Sequence, residues 1–389
     1  MKDATPSTLI FRRLRLENWR NFTQVDVDLQ NRVFLVGPNA SGKSNLLDVF
    51  RFLHDIVSVG GGFQEAAGPH RGGVTRLRSL SARRYPDIVI EVHIGSEALP
   101  NAWEYELRFS QDNQRRPIIK KERVSRAGSE LWSRPNAEDA KDPERLTQTY
   151  LEQINVNREF RDVADFFRSI RYLHVVPQLV REPDRSLGRS DDPYGGDLLE
   201  QIARTPEKTR NAWLRRIEAV LRVAVPQLKE LQFERDKANG APHLKGKYEH
   251  WRPQGAWQNE EQFSDGTLRL LGLLWATLEG SGPLLLEEPE LSLHPEVVTH
   301  LPQMFARMQS RTGRQMIVST HSPSILADPG IGLDEAFLLI PEREGTLVRP
   351  VKRFQQIVSL LEGGLSLPDA VMPFTRPAKA EQLPLFATR

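Results

Sequence analysis

One short stretch near the N-terminus has the residue types and spacing of a phosphate-binding loop. Residues 37–44 read Gly-Pro-Asn-Ala-Ser-Gly-Lys-Ser and match G-x-x-x-x-G-K-[ST] at every fixed position. The glycines allow backbone N–H groups to close around phosphate oxygens, and the N-terminus of a following helix adds the positive end of its dipole. Lys43 would reach the β- and γ-phosphates of a nucleotide, and the Ser44 hydroxyl would coordinate Mg²⁺. The alternative is a glycine-rich turn with a chance lysine.

The residues on either side of this stretch favour the functional interpretation. Val33 to Val36 form an apolar run that predicts a buried strand, and apolar residues from Leu46 to Leu53 have the spacing of an amphipathic helix. A phosphate-binding loop needs this order of strand, loop and helix. The sequence therefore predicts a nucleotide site whose candidate residues are Gly37, Pro38, Asn39, Ala40, Ser41, Gly42, Lys43, Ser44 and Asn45.

Two adjacent carboxylates follow a short apolar strand later in the chain. Residues 284–286 are three leucines that direct Glu287 and Glu288 to the carboxyl end of a sheet, where α/β folds bind their ligands. One carboxylate suits Mg²⁺, which prefers oxygen ligands, and the next can polarise an attacking water. By position we assign Glu287 to the metal and Glu288 as the candidate catalytic base. The alternative is that two acids merely end a strand beside a helix N-terminus.

Two further polar groups lie at the ends of predicted elements. His321, after the predicted strand at 315–319, could hydrogen-bond a γ-phosphate or the attacking water; a histidine at a strand end often has only a structural role. Ser264, Asp265 and Gly266 precede a buried helix and offer a hydroxyl, a flexible backbone N–H and a helix N-terminus, which together suit an anion. A simple N-cap by Ser264 or Asp265 is the competing interpretation.

The spacing of apolar residues predicts an α/β protein. Strands alternate with helices, which indicates a mostly parallel core, and period-two alternation predicts an antiparallel side sheet from strands at 88–94, 103–109 and 118–124. The other predicted strands are 9–16, 25–29, 33–36, 170–176, 228–234, 244–251, 283–286, 315–319, 336–340 and 345–351. Helices are predicted at 157–168, 208–225, 268–278, 295–308 and 354–361, and loops at 125–148 and 178–200.

Composition and charge exclude several classes of site. The chain has no cysteine, which rules out disulfides, thiolate zinc sites and cysteine nucleophiles. Its apolar runs are too short to span a bilayer and its first residues are polar, so we expect a cytoplasmic protein with no membrane partner. A net charge of +2 does not by itself indicate nucleic acid. Clustered arginines form a basic surface, ordinary solvated faces or phosphate contacts: Arg12, Arg13, Arg15, Arg20, Arg71, Arg76, Arg78, Arg83 and Arg84.

Taken in order, the four motifs resemble those of the ABC-type ATPase head family, which includes transporter nucleotide-binding domains, structural-maintenance-of-chromosomes (SMC) proteins and RecF. Residues 37–44 resemble its Walker A motif, 263–267 its signature motif, 284–288 its Walker B motif and His321 its switch histidine. The segment Glu-Glu-Pro-Glu-Leu-Ser-Leu-His-Pro at 287–295 and the opening at 14–22 are similar to the soluble RecF-like and OLD-like branch. The resemblance covers roughly residues 9–340.

This resemblance implies a P-loop NTPase fold with a mixed ABC-ATPase-like sheet, an antiparallel side sheet and a helical insertion at about 125–260. It implies an ATPase head at 1–340. After the head, the sequence pattern predicts a strand–helix element at 341–372 and a flexible tail at 373–389. The resemblance also implies ATP and Mg²⁺ as ligands, and a head-to-head homodimer in which the signature motif of one subunit completes the Walker A site of another. Gln64 is the candidate for the glutamine that senses Mg²⁺ and γ-phosphate.

Some features depart from the family pattern. The signature motif has Asp265 in place of a glycine, and Glu287 stands where many relatives carry aspartate, which leaves the rate of hydrolysis open. No heptad repeat persists, so no long coiled coil is expected. No Glu-plus-Asp-x-Asp constellation follows the head, so we do not expect the nuclease domain of full OLD proteins.

The tail contains a short motif of its own. Residues 382–386, Gln-Leu-Pro-Leu-Phe, resemble the peptide by which bacterial DNA-metabolism proteins bind the sliding clamp. Leu385 and Phe386 would enter an apolar pocket and Gln382 a polar one. An apolar tail that packs on its own domain, or a chance match, is the alternative.

Two functions are consistent with the sequence. The first is an ATP-dependent dimer in DNA metabolism or anti-phage defence that acts through a partner effector such as a nuclease or a toxin. The second is a RecF-like DNA-binding repair factor that uses ATP as a dimer clamp. A transporter motor is less favoured because nothing indicates a membrane partner.

Overall fold

The computed structural model describes residues 8–82, 86–185, 192–251, 256–376 and residue 382. Its strands are β1 (Ile10–Trp19), β2 (Phe22–Asp28), β3 (Arg32–Val36), β4 (Ile88–Gly95), β5 (Trp103–Gln111), β6 (Pro117–Arg126), β7 (Ser129–Arg134), β8 (Arg171–Leu173), β9 (Leu228–Arg235), β10 (Pro242–Tyr248), β11 (Ala256–Asn259), β12 (Leu284–Glu287), β13 (Met316–Thr320), β14 (Ala336–Glu342) and β15 (Gly345–Pro350). Its α-helices are α1 (Lys43–Val57), α2 (Phe63–Ala66), α3 (Gly73–Leu77), α4 (Ala137–Lys141), α5 (Arg161–Arg168), α6 (Pro177–Arg181), α7 (Leu198–Arg204), α8 (Glu207–Ala224), α9 (Asp265–Leu278), α10 (Pro295–Thr299), α11 (Leu301–Thr312), α12 (Pro323–Leu326), α13 (Gln355–Glu362) and α14 (Leu367–Val371).

The chain divides into two compact units. The first comprises Met1–Ile170, Ser281–Pro283 and Gln303–Arg389, and the second Arg171–Gly280 and Leu284–Pro302. Within the described residues, no helix combines the length and the apolar character needed to cross a membrane. The division into a head, a strand–helix element and a tail stays a prediction, and Leu385 and Phe386 lie outside the described residues.

Two strands flank β3 in the first unit, and both run parallel to it. β3 pairs in parallel with β13 on one side, with Phe34 opposite Val318, and with β14 on the other, with Phe34 opposite Ala336. β15 adds to β14 in the antiparallel sense. Since residues 33–36 are all buried, the strand before the glycine-rich loop is a central one, as its apolar run predicts.

The antiparallel side sheet of the first unit has the order β2-β1-β4-β5-β6-β7. Its last strand, β7, corrects the prediction of a loop at 125–148. Ala127 and Gly128 both have positive φ, 47° and 80°, and connect Arg126 to its partner Ser129. Such a two-residue turn matches the twist of a hairpin, and the exposed polar residues that follow it hide the strand in the sequence.

Aromatic contacts fix the long helix α1 against the antiparallel side sheet of the first unit. The ring of Phe50 lies 4.6 Å from that of Phe11 on β1. Phe52 contacts Trp19 at 5.3 Å and Phe109 on β5 at 5.6 Å. Large buried rings contribute heavily to core stability, so the helix that follows the glycine-rich loop is held firmly against this sheet.

The second unit has its own small sheet and helices. β10 lies between β9 and β11 in a three-stranded antiparallel sheet, and β8 pairs in parallel with β12. Trp213 of α8 contacts Trp275 of α9 with ring centres 5.1 Å apart. Helices α6 and α7 lie within or at the edge of the stretch 178–200 that the sequence predicts as loop, and β11 is also additional. The helix predicted at 295–308 divides at His300 into α10 and α11.

A cluster of buried charges lies beneath the side sheet of the first unit. Arg134 and Asp139, both fully buried, form an ion pair of 2.7 Å. The nearby Glu122 carboxylate accepts the backbone N–H of Tyr150 at 2.8 Å. Burial raises the pKa of Glu152 to about 7, although the N–H groups of Phe63 and Thr149 act in the opposite direction. Ionisation of the Glu152 carboxylate therefore lowers the stability of the folded protein.

This cost predicts a pH-dependent effect of Glu152→Gln. The unfolded chain binds the proton less tightly than the native chain, whose pKa is about 7, so wild-type stability falls as pH rises from about 5 to about 8. The variant avoids this loss, so its stability relative to wild type should rise by on the order of 2 kcal/mol between pH 5 and pH 8. Urea unfolding at several pH values measures it, with exposed Glu130→Gln as the control. A difference that stays constant with pH would contradict the account.

Candidate nucleotide-binding site

The backbone of the loop at 37–44 depends on its two glycines. Gly42 has φ of +97°, and a Cβ there would lie 2.2 Å from the Asn21 side chain. A Cβ on Gly37 would lie 2.6 Å from Ser41 Oγ and 2.7 Å from the carbonyl oxygen of Leu339. Both positions thus exclude any side chain, because real Cβ atoms do not approach heavy atoms so closely. The glycines are required by local geometry as well as by ligand access.

The Lys43 ammonium group lies inside this loop. The residue is 5% exposed, and its Nζ donates to the carbonyl oxygens of Gly37 and Pro38 at 3.0 Å each. The Nδ1 atom of His321 is 3.4 Å from the same nitrogen. The structure of the first unit therefore brings together Lys43 and His321, which lie 278 residues apart in the sequence.

The loop residues fit a phosphate group. Ser41 Oγ is buried and has no hydrogen-bond partner among the described residues. The 15-residue helix α1 has Gly42 as its N-cap and no side-chain cap, so no capping side chain competes with an anion for the positive end of the helix dipole. A buried cation, an orphaned hydroxyl and an uncapped helix N-terminus converge on one loop. Lys43, Ser44 and the backbone of 37–42 would hold the phosphates.

Gln64 has different partners from those that a metal-sensing role requires. Its Nε2 donates to the carbonyl oxygens of Pro117 and Thr147, at 2.8 Å and 2.7 Å. Both acceptors lie in or after the side sheet of the first unit, so the Gln64 side chain connects α2 to that sheet. The metal-sensing role of Gln64 stays a prediction that this geometry does not favour.

Arginines that the sequence groups into possible basic clusters are largely engaged in ion pairs. Arg13 pairs with Asp26 at 2.7 Å, and Arg20 and Arg71 both pair with Asp48, at 2.6 Å and 2.9 Å. Such pairs favour the interpretation that these arginines are structural. Arg83 and Arg84 lie outside the described residues.

The two candidate carboxylates lie at the end of β12 in the second unit. The hydroxyl of Tyr172 donates to the Glu287 carboxylate, and His174 Nδ1 is 3.2 Å from the Glu287 carbonyl oxygen. Both partners belong to or follow β8, which pairs with β12. Glu288 has φ of +45°, a conformation that is costly for a residue with a side chain and that clusters at functional sites.

The signature-like segment of the second unit is held by neighbours of its own chain. Ser264 is the N-cap of α9 and accepts the N–H of Thr267 at 3.2 Å, as the competing interpretation predicts. Arg181 donates to the carbonyl oxygen of Phe263 at 2.7 Å and pairs with Asp265 at 2.6 Å. A Cβ on Gly266 would lie 2.5 Å from the carbonyl oxygen of Ser292, so this glycine allows a close backbone approach.

Tyr172 and Arg181 are residues that the sequence analysis does not find. Tyr172 lies in a predicted strand, and the rule that parallel strands present their carboxyl ends together could have indicated it. Arg181 lies in a stretch that the sequence predicts as loop, and no local pattern indicates its partner, Asp265, 84 residues away.

Comparison with known families now decides the class of the chain. Residues 32–327 match the family described as "AAA domain, putative AbiEii toxin, Type IV TA system". The chain belongs to this family. The match includes the glycine-rich loop, the carboxylates and His321. A search among curated proteins gives no match.

One solved structure shows the same fold, and two others are similar at lower TM-scores. A crystal structure of the "SmcHead bound to the C-winged helix domain of ScpA" has a TM-score of 0.54 at 13% identity, over 88% of this chain and 98% of the other. The SMC head domain from Thermotoga maritima gives 0.46 at 13% identity, over 88% and 98%. An Smc head from Pyrococcus furiosus gives 0.49 at 11%, over 91% and 100%. The first of these, with the family, confirms the predicted α/β P-loop ATPase fold.

Tyr172→Phe tests the contact with Glu287. Removal of the hydroxyl frees the carboxylate to rotate. The sequence predicts Glu287 as a metal ligand, and loss of a hydrogen-bond partner of such a ligand typically costs about 10-fold or more in metal affinity. We expect the Mg²⁺ concentration for half-maximal ATP hydrolysis to rise by about this factor, with nucleotide affinity in EDTA unchanged.

The control for this variant is Tyr194→Phe, which alters a tyrosine that is 40% exposed. An unchanged Mg²⁺ dependence in Tyr172→Phe would show that the hydroxyl does not orient the carboxylate. A matching loss in the control would point to a general effect on folding.

Proposed function

We propose that this AAA-family chain is an ATP-binding and ATP-hydrolysing ABC-type head of the RecF-like and OLD-like branch. The observation that carries the proposal is the buried Lys43 ammonium, 3.0 Å from two loop carbonyl oxygens and 3.4 Å from His321. A buried cation beside an uncapped helix N-terminus is the arrangement that favours a polyphosphate.

Each polar residue then has a role in phosphoryl transfer to water. Lys43 would bind the β- and γ-phosphates, and Ser44 and Glu287 would hold Mg²⁺, which would supply charge neutralisation at the phosphates. Glu288 accepts the proton of the attacking water. His321 donates to the γ-phosphate or orients that water. Phosphoryl transfer requires mainly positioning and charge stabilisation, which accounts for this set of residues.

We propose further that ATP joins two copies of the chain head to head. Ser264 is exposed, and Gly266 at the start of the 14-residue helix α9 is half-buried, so this helix N-terminus is accessible to a phosphate of another subunit. The Asp265 carboxylate is paired with Arg181, so Asp265 would contribute its backbone N–H. A γ-phosphate between two surfaces would couple nucleotide state to dimerisation.

The output of such a dimer would be conformational and delivered to a partner protein. The family description names a toxin of a type IV TA system, and the SMC head of similar fold is bound to a domain of ScpA. Both are consistent with a defence or DNA-metabolism role through an effector. The sliding clamp stays a further possible partner through Gln382, Leu385 and Phe386.

One surface favours the second function, DNA binding. Helix α8 carries exposed cations at seven-residue spacing, Lys208, Arg215 and Arg222, with Arg216 beside them, and of these Arg222 also pairs with Glu218 at 3.7 Å. Residues at this spacing lie on one helix face, which suits a phosphate backbone. The clamp function predicts ATP-dependent DNA binding that weakens as salt increases and that is lost when the charges of α8 are reversed. The effector function predicts ATPase activity that DNA does not change.

Glu288→Gln tests hydrolysis and dimerisation together. The amide cannot accept a proton, so we expect ATP turnover to fall by about 100-fold or more while ATP binding persists. Dimers should then accumulate with ATP and Mg²⁺ and disappear with ADP. Size-exclusion chromatography with light scattering measures the mass, and bound nucleotide is measured after denaturation.

Two controls make this experiment decisive. Lys43→Ala in the Glu288→Gln background should remove both bound ATP and dimers, and Ser264→Arg should remove dimers but retain ATP. Full turnover in Glu288→Gln would overturn the assignment of the base. A monomer that retains ATP under all conditions would overturn the head-to-head dimer.

A further inference from the structure

We propose that Asn21 is a positioning residue that fixes the phosphate-binding loop to the C-terminal hairpin β14–β15 of the first unit. The inference rests on the proposed function for its consequence, since the loop is taken to bind ATP. Asn21 lies in the turn between β1 and β2, 16 residues before the first glycine of the loop by its number in the sequence. We call the side chains of Asn21, Asn45 and Thr346 the asparagine clamp.

Three hydrogen bonds use the Asn21 side chain. Its Nδ2 donates to the carbonyl oxygen of Ser41 at 2.9 Å and to the hydroxyl oxygen of Thr346 at 2.8 Å. Its Oδ1 accepts the Nδ2 group of Asn45 at 2.7 Å. Both donors of the amide are thus engaged, and the amide can adopt only one orientation that satisfies all three partners.

The contact with Ser41 orients a peptide group of the loop. The Ser41–Gly42 peptide is trans, and a planar trans peptide directs its C=O and its N–H to opposite sides. Fixing the Ser41 carbonyl oxygen on Asn21 therefore directs the Gly42 N–H away from Asn21, where a phosphate oxygen can accept it. The same approach excludes a Cβ at Gly42, which would lie 2.2 Å from Asn21 Nδ2.

The contact with Asn45 fixes the other side of the Lys43–Ser44 pair. Asn45 lies in the first turn of α1, and its carbonyl oxygen also accepts the indole N–H of the fully buried Trp19 at 2.9 Å. The β1–β2 turn thus holds the chain both before and after the two residues assigned to phosphate and Mg²⁺. This leaves Lys43 and Ser44 little freedom to move as a group.

Asn21 is itself fixed by β15. The backbone N–H of Thr346 donates to the Asn21 carbonyl oxygen at 2.8 Å, in addition to the side-chain contact. Thr346 is 6% exposed. Gly345 has φ of +154°, and a Cβ there would lie 2.9 Å from the same carbonyl oxygen. The hairpin at 336–350, beyond the residues that match the family, is therefore part of the support for the loop.

The test compares loop order with nucleotide affinity in the full-length protein. In Asn21→Ala we expect hydrogen exchange of the backbone amides at 37–45 to accelerate by about 10-fold without nucleotide, and the Kd for ATPγS with Mg²⁺ to rise by about 10-fold. Thr346→Val keeps the shape of the side chain but loses the acceptor, and it should raise that Kd by about 3-fold. Thr346→Ser keeps the acceptor and should have the wild-type Kd.

The outcomes separate this inference from the proposed function. Asn211→Ala, an exposed asparagine on α8, is the control for both measurements. If wild type and Lys43→Ala fail to bind ATPγS, the proposed function fails, and the exchange data alone decide whether the asparagine clamp orders the loop. If Asn21→Ala exchanges and binds as wild type does, the inference is overturned. Equal exchange increases throughout the first unit would also overturn it, because they would indicate general destabilisation.

Discussion

The position of the Lys43 ammonium group is the constraint on which the rest of the site depends. An isolated charge in a protein interior is costly unless polar groups surround it, and here the carbonyl oxygens of Gly37 and Pro38 do so at 3.0 Å. The same loop has no room for a side chain at Gly37 or Gly42, and Gly42 adopts a positive φ. The buried lysine and the two glycines therefore depend on one loop conformation.

That loop conformation in turn depends on distant parts of the first unit. β3 lies between two parallel partners, β13 and β14, and aromatic contacts fix α1 behind the loop. The strand β13 also presents His321 at the lysine. In the second unit, Tyr172 contacts Glu287 in a comparable way. In both units, residues that perform no chemistry themselves hold those assigned to it.

The sequence predicts the parts of the site that are local. The glycine-rich loop, the strand before it and the helix after it lie within 26 consecutive residues, 32–57. Their pattern can therefore be recognised from consecutive residues alone. Contacts between distant residues have no such pattern: Asn21 and Thr346 are 325 positions apart, and Tyr172 and Glu287 are 115 apart. β7 was hidden for another reason, because its exposed polar residues lack the alternation that identifies a half-buried strand. Ser264 is a third case. A helix N-cap and a signature motif both favour a serine at this position, so the sequence alone does not separate the two roles.

The most direct measurement is the affinity of the purified protein for ATP with Mg²⁺ by isothermal titration calorimetry, in wild type and Lys43→Ala. We expect one ATP per chain in wild type and an affinity at least about 100-fold lower in the variant, since about 2.7 kcal/mol of charge-assisted contact is lost. Equal affinities, or no binding by a folded wild-type protein, would contradict the central claim that the buried Lys43 ammonium forms a nucleotide site.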